Sequence, residues 1–198
     1  MQFVLASNNQ KKLLEMRQIL ANEGCTVISM AEAGFHTDPA ETGTTFEENA
    51  RIKARAAMEA CGQPCIADDS GLEVDALGGA PGVYSARYCP GTDLDRVEYL
   101  LHNMENQENR AARFVSAVAC VFPDGGEIVV RGECRGVLLR EMQGEGGFGY
   151  DPVFYVPDEG CTFAEMPQAR KNQISHRAAA MTAFCAALRR SGRLEAQV

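Results

Sequence analysis

The chain has 198 residues, a formal net charge of −8 at pH 7 and 45% hydrophobic residues, enough for one large domain or two closely joined lobes that bury a core without disulfides. No apolar run approaches the ~20 residues of a membrane span, and the opening MQFVLASNNQ has neither the basic nor the long apolar region of a signal peptide, so a cytoplasmic, non-membrane protein is expected. The acidic balance argues against broad electrostatic capture of nucleic acid, and eight cysteines scattered mostly through apolar runs, with three histidines and no C-x-x-C, imply reduced structural thiols rather than a zinc site.

Residues 2–6, QFVLA, form a predicted strand, followed by the polar turn SNNQ and a helical pattern with Leu13, Leu14, Arg17, Ile19 and Leu20. TVISM is predicted as a second strand, and residues 31–45, rich in Gly, Thr, Asp and Pro, as a loop. The next helix opens at TFEE, where Thr45 can cap and Glu48 can complete a capping box. It presents Phe46, Ala50, Ala54, Ala57, Met58 and Cys61 on one face. CIA is predicted as a short buried strand that stops at Asp68 and Asp69, while LEVDAL alternates like a strand with Glu73 and Asp75 solvated. Residues 92–105 have a helical pattern, and RFVSAVACVF and GEIVVRGECRGVLL flank the turn PDGG as an antiparallel hairpin. VFYV is a further strand. Residues 173–189 are predicted as one amphipathic helix with Ile174, Met181, Phe184, Cys185 and Leu188 inward.

Five segments carry chemistry. Ser7, Asn8 and Asn9 fall at a helix N-terminus with Lys12 in the first turn, where backbone N–H groups and the helix dipole favour an anion. The segment lacks the glycines of a Walker loop, and alone it reads as a capped turn with a surface lysine. Glu41 precedes the capped helix and Lys53 lies on its polar side; each alone is a surface charge. Asp68 and Asp69 differ, because carboxylates following a buried strand need repayment. Two close carboxylates repel by about 4 kcal/mol at an effective dielectric of about 20, and oxygen ligands of this kind suit Mg²⁺. The loop GGFGYDP brings Phe148, Tyr150 and Asp151 among glycines, and KNQISHR brings Lys171, Ser175, His176 and Arg177 to a helix start. Alone these are a tight turn and a serine cap. Together a phosphate corner, an acidic metal corner, an aromatic loop and a donor-rich helix start describe a nucleoside triphosphate site. Cys65, close to the aspartates, is expected to be core.

The segments LASNNQKKLLE, ETGTTFEENARIKA, IADDSGLEVDALGGAPGVYSARY, GGFGYDPVF and ISHR occur in an order that resembles the inosine/xanthosine triphosphate pyrophosphatase family, the Ham1/RdgB-like diphosphatases, along nearly the whole chain. Ser7 stands where the family usually has Thr, and Asn8 where a bacterial member often has Gly. The resemblance implies one Ham1-like domain over residues 1–198. Its fold would be α/β, a long mixed sheet with flanking helices and two lobes around a nucleotide cleft, and it would dimerise. It implies Mg²⁺-dependent hydrolysis of dITP, ITP or XTP to monophosphate and pyrophosphate. On this resemblance Ser7, Asn8, Asn9, Gln10, Lys11, Lys12 and Lys53 hold the triphosphate, and Ser70 joins the substrate-binding set. Glu41, Asp68 and Asp69 hold the metal, and Asp69 orients or deprotonates the attacking water. Phe148 stacks on the base, while Gly149, Tyr150, Asp151, Lys171, His176 and Arg177 frame base and sugar. Donors at the last helix suit a 6-oxo purine and would reject the 6-amino group of adenine. The rivals are a Maf-like pyrophosphatase, against which FGYDP and ISHR argue, a silent nucleotide sensor, which would not need both aspartates, and a nucleic-acid module, which the charge disfavours.

Overall fold

The computed structural model describes residues 1–194. In chain order the strands are β1 Gln2–Leu5, β2 Thr26–Ser29, β3 Cys65–Val74, β4 Ala111–Val121, β5 Glu127–Leu138, β6 Phe154–Val156 and β7 Cys161–Thr162. The helices are α1 Gln10–Ala21, α2 Phe46–Cys61, α3 Asp93–Asn103, α4 Gln168–Ile174 and α5 His176–Arg190. The strands form one mixed sheet in the order β2-β1-β3-β4-β5-β6-β7. β1 is parallel to β2 and β3, whereas β5, β6 and β7 pair antiparallel. This is the α/β mixed sheet that the resemblance implied.

The chain divides into two compact units, the first made of residues 1–69, 116–132 and 177 onward, the second of residues 70–115 and 133–176. In the first, strand alternation and helix periodicity deliver Phe3, Leu5, Leu13, Met16, Leu20, Ile66 and Phe184 into one apolar cluster. Phe3 and Phe184 meet edge to face with centroids 5.7 Å apart. Each such side chain contributes about 1.5–3 kcal/mol by leaving water. Leu14 instead stands 56% exposed, because Met16 takes the inward position on α1. The second unit packs Leu72, Val97, Leu100, Phe114, Phe154 and Phe163 in a cluster of its own.

Local chemistry sets the helix starts. Thr45 and Glu48 form the expected capping box at α2, and Thr92 with Asp95 forms another at α3. Two expectations fail. The strand does not stop at the aspartates: β3 runs through Asp68 and Asp69 to Val74, and residues 75–77 are a 3₁₀ turn rather than strand. Charge partners on neighbouring elements outweigh the poor strand propensity of aspartate there. The last helix is not continuous either, since Ser175 adopts an extended backbone (ψ 161°) between α4 and α5. Short β7 and α4 carry too little periodicity to be read from sequence.

Candidate active site

In the first unit, β1 pairs with β3 only as far as Leu5↔Ile66, so Asp68 and Asp69 lie on β3 just past the carboxyl end of β1. Successive strand residues point to opposite faces, and the two aspartates accordingly have different partners. Asp68 Oδ2 lies 3.0 Å from Lys12 Nζ on α1 and 3.4 Å from Arg177 on α5. Arg177 also pairs with Glu15. Asp69 turns to α2, where Lys53 Nζ donates to Oδ1 (3.1 Å) and Asn49 Nδ2 to Oδ2 (3.1 Å). Asn49 and Lys53 reach one carboxylate because residues four apart share a helix face. Lys53 also donates to Glu41 Oε1 at 2.8 Å.

Burial and neighbours set the protonation of this cluster. Burial pushes the Asp68 carboxyl up, yet Lys12, Arg177 and Lys53 together hold it well below the usual carboxylate range. Burial raises the Asp69 carboxyl from its ordinary value; Lys53 opposes the shift and Glu41 adds to it. Lys12 is pulled down by burial, while Lys53, also subject to burial, ends above the ordinary lysine value because Asp69, Asp68 and Glu41 favour its charge. Asp69 is thus a basic carboxylate held by fixed donors, the profile of a general base.

The donor set suits a hard cation. Lys53 places an ammonium within hydrogen-bond distance of both Glu41 and Asp69, and Asp68 Oδ1 is buried without a hydrogen-bond partner. Lys12 pairs with Asp68, Lys53 with both Glu41 and Asp69, and Arg177 with both Glu15 and Asp68. Among the described residues no group of three or more His, Cys, Asp or Glu stands ready around a metal position.

At the N-terminus of α1, Asn9 is the cap and its Oδ1 accepts from the backbone of Lys11 (3.0 Å) and Lys12 (3.2 Å), while Ser7 Oγ accepts from Asn9 N–H. Two of the N–H groups expected to face an anion are therefore engaged. Asn8, Gln10 and Lys11 are exposed.

In the second unit, the glycine-rich loop is held from below. Asp151 Oδ2 accepts from Phe148 N–H (2.9 Å) and from Lys171 Nζ (2.6 Å), and Gly149 N–H donates to Asp93 on α3 (2.9 Å). Lys171 Nζ lies 5.0 Å from the Phe148 ring centroid and 5.3 Å from that of Phe163, within cation–π range. Tyr150 is buried and donates to the Ser85 carbonyl at 2.8 Å. Phe148 is half-exposed. His176 is buried and stacks on Phe114 at 4.8 Å. Ser70, half-buried, follows Asp69 on β3.

Three functional residues escaped the sequence. Asn49 had a signal, a polar side chain on the apolar stripe between Phe46 and Ala50; it is fully buried, accepting from Gly43 N–H (2.8 Å) as well as holding Asp69. A Cβ on Gly43 would meet Asn49 Oδ1 at 2.7 Å, which explains the glycine. Glu15 had none, since its partner Arg177 lies 162 positions away. Asp93 had none either, since it lies in the first turn of its helix and its partner Gly149 is 56 positions away.

The Ham1 family model matches residues 3–187. A dITP/XTP pyrophosphatase of Symbiobacterium thermophilum is 51% identical over 180 residues, covering 90% of each chain, and one of Haemophilus influenzae is 49% identical over 185 residues, covering 90% of this chain and 94% of its own. Among solved structures, the Ham1 protein of Staphylococcus aureus superposes with a TM-score of 0.86 at 42% identity, covering 96% of this chain and all of its own. A HAM1 protein of Coxiella burnetii gives 0.87 at 40% identity, covering 96% of this chain and 99% of its own.

Proposed function

The chain belongs to the Ham1 family, and from that premise we propose that it hydrolyses noncanonical purine nucleoside triphosphates, dITP, ITP and XTP, to the monophosphate and pyrophosphate. The relatives' dITP/XTP pyrophosphatase activity points to this substrate class. One observation carries the chemistry: Asp69 is buried, raised in pKa and gripped by Asn49 and Lys53, as a base for an attacking water should be.

Lys12 and Lys53, with Ser7, Asn8, Asn9, Gln10, Lys11 and Ser70, bind the triphosphate; each lysine already carries its charge into a largely buried site. Glu41, Asp68 and Asp69 would hold Mg²⁺, which when bound neutralises phosphate charge and polarises the attacked phosphoryl group. Asp69 takes the proton of the water. Phe148 is the platform for the base, kept in place by Asp151, Lys171, Tyr150 and Gly149. His176 and Arg177 offer donors to a 6-oxo edge, Arg177 doing so while bonded to Glu15 and Asp68. The chain serves this one reaction as a single Ham1-like domain. The free thiols suit a reducing cytoplasm. The protein also pairs as a homodimer, for which Tyr84, Leu94 and Tyr99, all exposed, offer apolar surface. Light scattering that gives the mass of a single 21.5 kDa chain would exclude the dimer.

Incubation with dITP and Mg²⁺, resolved by anion exchange, tests the reaction. Monophosphate and pyrophosphate are expected, with activity abolished by EDTA. Orthophosphate as the primary product would replace the diphosphatase reading with a phosphatase one.

A further inference from the structure

Cys61 closes α2 and Cys65 opens β3, separated by Gly62, whose left-handed backbone (φ 65°) ends the helix, then Gln63 and Pro64. Their sulfurs lie 3.4 Å apart, in contact, with Cys65 fully buried and Cys61 half-exposed. The proposed reaction uses neither thiol. Both share an element with residues that it does use: Asn49 and Lys53 lie on the helix that Cys61 ends, and Asp68 and Asp69 on the strand that Cys65 begins.

We propose that Cys61 and Cys65 are an oxidation site, a dithiol that hydroperoxides convert to a disulfide tying α2 to β3 and slowing turnover. The half-exposed Cys61 meets the oxidant first. Its sulfur attacks the peroxide O–O bond, giving the sulfenic acid and releasing the alcohol, or water from hydrogen peroxide. Cys65 sulfur then displaces the hydroxyl, which leaves as water with the Cys65 proton. Two thiols lose two electrons in total and the peroxide gains them. Burial pushes the Cys65 thiol up, so it stays protonated and unreactive until a sulfenic acid forms against it.

Bond formation shortens the contact from 3.4 Å to about 2.0 Å. The start of β3 is pinned, since Cys65 is in register with Val4, and Val4 N–H donates to the Pro64 carbonyl. A close-packed interior passes such a shift along α2 toward Lys53 and Asn49, and a misplacement of about 1 Å at a catalytic group can cost on the order of 10²-fold. A fall in kcat of roughly tenfold is expected, within that bound.

Trypsin cleavage after Arg55 and Arg87 releases residues 56–87, which contain Cys61 and Cys65 and no other cysteine. After hydrogen peroxide treatment this peptide should be lighter by two hydrogens and refuse N-ethylmaleimide until dithiothreitol is added. Turnover of dITP should fall in parallel and return with reductant, and Cys61→Ser should keep its turnover through peroxide treatment. Two maleimides on the oxidised peptide, a stable sulfinic acid on Cys61, or an intact disulfide with unchanged turnover would each overturn the proposal. The turnover arm rests on the diphosphatase reading and the peptide arm does not, so a reduced protein inert toward dITP counts against that reading alone.

Discussion

The two units secure their polar groups by different means. In the first, Lys12, Asp68, Arg177 and Glu15 come from three separate elements and hold one another by charge in a dry interior. In the second, the Phe148 loop is held mainly by side chains that bind backbone N–H and C=O groups, Asp151 to Phe148, Asp93 to Gly149 and Tyr150 to Ser85, with one buried ion pair beneath. Mutual ion pairs in low dielectric fail together, since removing one partner strands the other. Bonds to backbone are closer to independent, and a ring left half-exposed above them can be removed at little structural cost. Stability should therefore track the first cluster, and substrate recognition should be separable from stability only in the second.

The largest expected effect is on chemistry. Asp69→Asn should lower kcat on dITP by about 10²–10⁴-fold, the range of a lost general base, with KM changed far less. Steady-state kinetics on folded protein would check it, and near-normal turnover would remove Asp69 from the mechanism. Next in size, Asp68→Asn leaves Lys12 and Arg177 short of a buried counter-charge and should cost about 3–5 kcal/mol in urea unfolding at pH 7. Because the folded Asp68 carboxyl sits below its unfolded value, its contribution is present in full above the unfolded pKa of about 3.9 and is lost as pH falls below it. The gap in stability between wild type and Asp68→Asn should therefore narrow toward pH 2, and a gap independent of pH would contradict the assignment. Phe148→Ala should remove a stacking contact of about 1–3 kcal/mol, raising KM for dITP some tenfold or more while unfolding is barely changed. Destabilisation matching that of Asp68→Asn would show that the ring is core. The smallest effect belongs to Leu14→Ser, within about 0.5 kcal/mol in urea because the side chain is exposed, whereas Leu13→Ala nearby should cost about 2–5 kcal/mol.

The same contrast explains what the sequence revealed. Features written within a few residues were legible: the Thr45 and Glu48 capping box, the inward stripe of Phe46, Ala50, Ala54 and Ala57, and the turn at 123–126 between β4 and β5. Asp68 and Asp69 stood out as charges that an apolar strand should not tolerate. Features that depend on distant partners were hidden. β3 continues through its aspartates because Lys12, Asn49, Lys53 and Arg177 satisfy them, none of which a local window contains. Ser175 interrupts the last helix although Ile174, Met181 and Leu188 keep a helical spacing across it, since a periodic pattern survives a single extended residue. Arg177 reads from sequence as a donor that frames base and sugar at a helix start, and its 1% exposure, set by partners on distant elements, could not be read there.

The register of β3 against β1, Val4 with Cys65 and Leu5 with Ile66, fixes which aspartate faces which helix. A strand shifted by one residue exchanges its two faces. Deleting any one residue between Cys65 and Asp68 would hand Asp69's place to Ser70 and turn Asp69 toward Lys12. Cys65, Ile66 and Ala67 could each be replaced by a side chain of similar volume with the site intact, but the number of residues between the β1 pairing and the aspartates could not change. Over evolutionary time this stretch is free to drift in spelling and not in length.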